Sequence, residues 1–175
     1  MISAQYRDDR HMSVDATIDG VVWTIPAVTS DTPIARAVRD WVAAGNTIAP
    51  YVPPPPTASE VNAERDRRIA RFPYLGRVYD FDAASQSNVQ GAFSVATAAV
   101  MAGAQPGNLR WADPDYDFSW ITAANEIVPM DAHQVVAFGK AAATWKSAHI
   151  FRARALKDMR PIPSTFKADD HWPSG

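Results

Sequence analysis

At 175 residues, 47% hydrophobic and 21% charged, the chain has the composition of a globular protein with room for one domain or two small ones. A formal net charge of -2 gives no broad attraction to phosphate backbones or anionic lipid, so neither nucleic-acid binding nor membrane insertion is expected. The absence of cysteine excludes disulfides, thiolate metal sites and a cysteine nucleophile.

The first ten residues mix charges and hold no apolar run long enough for a signal peptide or a membrane span, and a cytoplasmic product is expected. From Val14 to Ile25 apolar and polar residues alternate about Asp19-Gly20, the pattern of a hairpin closed by a type I′ turn. Thr32 then reads as an N-cap with Pro33 at the first helical position. Ile34, Val38, Trp41 and Val42 follow at helical spacing, and Gly45-Asn46 ends the helix. Pro53 to Pro56 lack backbone donors and favour an extended polyproline segment, which marks a domain boundary.

Past this linker, Thr57 or Ser59 caps a charged helix to about Arg71, with Glu60, Glu64 and Asp66 ahead of most of its arginines, as the helix dipole prefers. Its few apolar residues, Val61, Ala63, Ile69 and Ala70, predict a helix exposed over most of its circumference or buried by neighbouring chains. Phe72 to Phe81 predicts a short hairpin. Asp82 caps an alanine-rich helix from Ala83 to Ala102, stopped by Gly103. A second hairpin is predicted from Phe118–Thr122 and Glu126–Pro129, joined through Ala123-Ala124-Asn125, and Asp131 caps the last helix. Along that helix Val135, Phe138, Ala142, Trp145, His149, Arg152, Leu156 and Met159 recur every three or four residues and form one stripe. The stripe packs either on the Ala83–Ala102 helix or against another protomer, and His149 and Arg152 within it favour a wetter surface. Beyond Pro161 an extended arm is expected, ordered where Phe166 and Trp172 dock.

Chemical motifs are sparse. Asp113, Asp115 and Asp117 are spaced like calcium ligands, but Phe118 and Ala124 stand where an EF-hand loop needs glycine and glutamate; an Asx turn about Pro114 explains them more simply. His133 and His149 are sixteen residues apart on one helix, about 24 Å along its axis, too far to share a metal. There is no zincin, nucleophile-elbow, phosphate-loop or dinucleotide fingerprint, and no catalytic, metal or cofactor-binding residue is assigned. Trp23, Trp41 and Trp145 fall on apolar faces, which assigns them to packing. Trp111, Trp120 and Trp172 are open to either role. The residues singled out as a protein interface are Arg110, Trp111, Trp120, Trp145, His149, Arg152, Phe166 and Trp172, since aromatic residues and arginine are enriched at such surfaces.

Five segments carry a family resemblance: Asn62–Ile69, Gly107–Asp113, Phe118–Ile121, Trp145–Phe151 and Ala155–Met159. In these the chain resembles the DUF4376 family of bacteriophage and prophage proteins over its last two thirds. The first third, with Asp40–Asn46 ahead of the prolines, is similar to the short N-terminal module that accompanies that domain in phage tail proteins. Members commonly show an Asn-Gly turn where this chain has Phe72-Pro73-Tyr74-Leu75-Gly76.

The resemblance implies a non-enzymatic virion structural protein of a tailed phage, an accessory of the tail tip, tail fibre or baseplate. It would be made in the host bacterial cytoplasm and carried in the virion tail, with other phage tail proteins as partners and a homo-oligomer, a trimer by preference, as its state. The alternatives are a tail-fibre assembly chaperone and a host-envelope hydrolase. The expected fold is α+β and mainly α: an N-terminal hairpin-plus-helix module over 1–50, a proline linker over 51–58, a helical domain with short hairpins over 59–160, and an extended tail over 161–175.

Overall fold

Asp19 and Gly20 both take left-handed backbone conformations, with φ of 49° and 85°, so the chain reverses in two residues and pairs β2 (Val14–Ile18) with β3 (Val21–Ile25). The structure, a computed structural model, describes residues 1–26 and 28–174; Ala27, in the turn-rich stretch after Pro26, and Gly175, the end of the expected tail, lie outside the described residues. A strand not foreseen in the sequence, β1 (Ile2–Tyr6), pairs antiparallel with β2, giving the sheet order β1-β2-β3. The outer edge of β1 is covered: the Tyr6 N–H donates to the Ala49 carbonyl at 3.0 Å, and the Ala49 N–H donates to the Ala4 carbonyl at 2.8 Å.

Residues opposed across an antiparallel ladder share a face. Ala4, Val14, Ala16 and Ile25 therefore make one apolar surface, which packs with Ala35 and Val38 of α1 (Pro33–Ala43). Helix α1 starts as its sequence requires, the Thr32 side chain accepting from the Ala35 N–H at 3.2 Å. Trp23 departs from its expected place in the core. It shares the face of Ala16, its register partner, but β3 is flanked by a strand on one side only, and the indole is 46% exposed.

Contacts divide the chain into two compact units, Met1–Pro54 and Pro55–Gly175. The second begins with α2 (Ala58–Ile69), whose capping box is complete: the Glu60 N–H donates to Thr57 Oγ1 at 3.2 Å and the Thr57 N–H to Glu60 Oε2 at 2.7 Å. Val61, Glu64 and Ile69 are buried and α4 of the same chain packs against α2, while Ala58, Ser59, Glu60, Ala63, Asp66 and Arg67 stay exposed. A hairpin of β4 (Arg71–Tyr74) and β5 (Arg77–Asp80) follows, turning through Leu75 and Gly76 at φ of 48° and 75°. The turn type is thus the one an Asn-Gly pair would make, with an exposed leucine held in a left-handed conformation.

Helix α3 (Ala83–Met101) and helix α4 (Ala132–Asp158) pack together, with β6 (Ser119–Ile121) and β7 (Ile127–Pro129) between them in sequence. Caps set their starts: Asp82 accepts from Ser85, and Asp131 forms a box with Gln134. The approach of α3 to α4 needs Gly139, where an added Cβ would lie 2.6 Å from Phe93 Cδ2. The α4 stripe is an intramolecular seam. Val135, Phe138, Ala142, His149 and Leu156 are all buried, Trp145 and Arg152 are half-buried, and only Met159 emerges.

Two cores result. Phe72, Tyr79, Phe81, Val89, Ala96, Met130 and the first half of α4 form one; Val61 with Ala153, Leu156, Ile162, Phe166 and Trp172 forms the other. The C-terminal segment is therefore not extended. It runs through turns and a 3-10 turn at Asp169–His171, because Ile162, Phe166 and Trp172 each bury on α2 and α4. The fold is α+β and mainly helical.

Candidate functional site

The residues singled out in the sequence separate into two groups. Arg110, Trp111 and Trp120 belong to the loop and hairpin before α4. The Arg110 guanidinium is exposed and pairs with Asp117 at 3.0 Å. The Trp111 indole N–H donates to the Met130 carbonyl at 3.0 Å, and its ring lies 4.7 Å from Phe118; Trp120 reaches Phe138 at 5.4 Å. Both tryptophans, half-buried, thus pack on the core through other aromatic rings. Beside them the Asp115 N–H donates to Asp113 Oδ1 at 2.8 Å, an Asx turn as Pro114 leads one to expect. Among the described residues no three histidine, aspartate or glutamate side chains converge on a common point.

Trp145, His149, Arg152, Phe166 and Trp172 come together where the C-terminal segment closes over α2 and α4. Trp172 is the anchor: its indole N–H donates to the Phe166 carbonyl at 2.6 Å, its ring stacks on His149 at 6.0 Å, and Arg68 lies 5.3 Å from its centroid. Arg152 donates from Nε to the His171 carbonyl and from Nη2 to His171 Nδ1 at 3.4 Å, while His171 Nε2 meets Thr165 Oγ1 at 3.0 Å. Phe166, Trp172 and His149 are 3%, 6% and 1% exposed, so burial within their own chain accounts for them.

Arg68, Glu64, Asp169 and His171, which no motif marks in the sequence, complete this closure. Arg68 Nε donates to Glu64 Oε1 at 2.7 Å; its Nη2 donates to the Lys167 carbonyl at 2.9 Å and to Asp169 at 2.8 Å. Arg67 binds the same Glu64 carboxylate. The hydrogen bond from Arg67, against the opposing effect of burial and with help from Arg68, holds the Glu64 carboxyl below the usual carboxylate range. Only the i, i+3 and i, i+4 spacing of Glu64 to Arg67 and Arg68 is visible in the sequence; Asp169 lies 101 residues from Arg68.

His149 is a buried titratable group that is not fully paired. Its Nδ1 lies 2.9 Å from the Trp145 carbonyl, which can only accept, so Nδ1 carries the proton; Nε2 is buried with no partner, as is the Trp145 indole nitrogen. Burial pushes the imidazole below its ordinary value, with Arg68 adding to the shift. Among the described residues, the Trp145 carbonyl is the one hydrogen-bond partner of this ring.

The second unit presents open surfaces. A groove of about 580 Å³ has Ile69, Ala70 and Phe81 in its lining and carries Arg65, Asp66 and Lys146 beside them. Helix α3 contains no charged residue, and Ala84, Ser87, Gly91, Ser94, Ala98 and Met101 form an exposed stripe along it, three or four residues apart. Gly91 differs from Gly139 in that a Cβ added there would have nothing within 4 Å.

Over residues 54–170 the chain matches the DUF4376 family, described as a domain of unknown function. No curated protein and no solved structure matches it.

Proposed function

We propose that this chain, which belongs to the DUF4376 family, is a structural protein of a tailed-phage virion, an accessory of the tail tip, tail fibre or baseplate working through protein contacts and without catalysis. The phage and tail assignment follows from the resemblance described in the sequence. In this reading the protein is made in the host bacterial cytoplasm, enters the virion tail, binds other tail proteins and self-associates, a trimer being the favoured state.

The observation that supports work by contact is α3. Nineteen residues without a charge, with a stripe of small side chains turned to solvent, are unusual for an exposed helix, whose outer face is ordinarily charged. A mid-helix glycine costs about 1 kcal/mol relative to alanine. At Gly139 that cost is offset by the packing of Phe93, whereas at Gly91 this chain offers no neighbour, and close approach of another helix would supply one. Trp111 and Trp120 pack on the core that holds Val89 and Ala96, the buried side of the same helix.

Quantitative mass spectrometry of gradient-banded virions tests the assignment. A fixed copy number in threes or sixes relative to the major tail proteins is the expected result. Absence from virions with abundance in the infected-cell lysate would replace it with the assembly-chaperone reading, and a clearing band in a zymogram on host cell wall would replace it with the hydrolase.

A further inference from the structure

The sheet of the first unit has two edges, treated differently. On the β1 side the outward carbonyl of Ala4 and N–H of Tyr6 are both taken by Ala49, and Pro50, which has no N–H, comes next. On the β3 side no described residue pairs with the strand. A two-residue turn makes Ile18 and Val21 a hydrogen-bonded pair, so pairing alternates along the ladder and the backbone groups of Val22 and Thr24 point away from β2.

This edge carries none of the usual protections. Val21-Val22-Trp23-Thr24-Ile25 contains no charge, no proline and no bulge, since the register with β2 is unbroken from Val21 to Ile25. Val21, Val22 and Trp23 are 53%, 63% and 46% exposed.

We propose that β3 is a self-pairing edge, at which a second copy of this chain adds its own β3 antiparallel across a two-fold axis through Trp23. The occupant is specified by the geometry of the edge itself. With Trp23 on the axis, Val22 of each copy lies opposite Thr24 of the other, so the outward-facing residues meet and exchange both their N–H and C=O groups. Val21 then lies opposite Ile25, and the two Trp23 rings meet at a non-hydrogen-bonded position, where side chains approach closest. Val21, Trp23 and Ile25 all lie on the face that carries Ala16 and Val14, so the apolar surface of one sheet continues into that of the next. No charge on either strand opposes the pairing. An isologous contact of this kind builds pairs only. It is independent of the tail assignment, and combined with a trimer-forming surface elsewhere it gives six copies.

The cysteine-free sequence makes the test direct. In the full chain, Trp23→Cys places the new thiol on the axis, where opposed Cα atoms lie about 4.5 Å apart, within the span a disulfide bridges. Mild oxidation should convert most of the protein to a covalent dimer on a denaturing gel, while Asp9→Cys, a solvent-exposed control, should not. In sedimentation of the unmodified protein, Thr24→Pro should weaken self-association at least tenfold by removing an outward N–H that β2 does not use; Thr24→Lys, which keeps that N–H and adds charge, should weaken it too. Unchanged circular dichroism and thermal melting would exclude misfolding as the cause. A chain that stays monomeric at high concentration, or whose association ignores both Thr24 variants with no cross-link at residue 23, overturns the proposal. So does a chain that is monomeric alone and whose β3 is protected from hydrogen exchange only by a different protein.

Discussion

His149 sets the pH behaviour of the second unit. Its folded pKa lies below the ordinary 6.5 because burial of the ring, with Arg68 nearby, outweighs the opposing hydrogen bond to the Trp145 carbonyl. The folded protein therefore binds fewer protons than the unfolded chain as pH falls through about 6.5, so stability is full above that value and declines below it. Urea midpoints measured at pH 7.5 and pH 5.5 should show this decline in the native protein and little of it in His149→Gln; equal midpoints for the native protein would contradict it. The paired carboxylates titrate in a lower window, below about pH 4.5, and do not confuse the reading. The two helical glycines behave oppositely. Gly139→Ala should destabilise by about 1–3 kcal/mol, since its Cβ meets Phe93. Gly91→Ala should stabilise by roughly 0.5–1 kcal/mol, since its Cβ meets nothing. Thermal melts of the two variants give the signs, and a destabilised Gly91→Ala would mean that Gly91 packs against a helix of another molecule.

Elements with local signals were legible in the sequence. Thr32, Thr57, Asp82 and Asp131 all cap helices where their side chains predict, because a cap is decided within four residues. The Asp19-Gly20 turn fixed one hairpin for the same reason. What was missed depends on distant partners. Ile2, Ala4 and Tyr6 alternate correctly, but β1 is a strand only because β2 and Ala49 take its backbone groups. Trp23 has the right alternation for burial and the wrong position, on an edge that no periodicity reveals. Two large aromatics in a polar tail predict that Phe166 and Trp172 dock, but they and Ile162 follow no period, so where they dock, on Val61 and Leu156, had no signature, and neither did the part played by Arg68 and His171. This closure is the element most open to test. Trp172→Ala should cost about 3–5 kcal/mol and expose residues 161–174 to amide exchange before the α3–α4 core opens. Exchange that rises uniformly across the unit would show instead that the segment is not a separate cooperative piece.

At the scale of the molecule, the prolines at 53–56 lie at the boundary of the two compact units. Replacing them with Gly-Ser should leave each unit folded, with its own melting transition intact, and reduce incorporation into virions by relaxing a short stiff tether. Undiminished incorporation would remove the tether from the account. The closure of the second unit also imposes an order in time. Val61 lies near the start of that unit, yet the side chains that bury it include Phe166 and Trp172, about a hundred positions later. During synthesis α2 therefore emerges early and waits, Val61 uncovered, until the far end of the unit has been made. The first unit has no such delay, since Ala49 completes it. A ribosome paused midway through α4 would thus carry one finished unit and, in α2, a helix still lacking the far-end side chains that close over Val61.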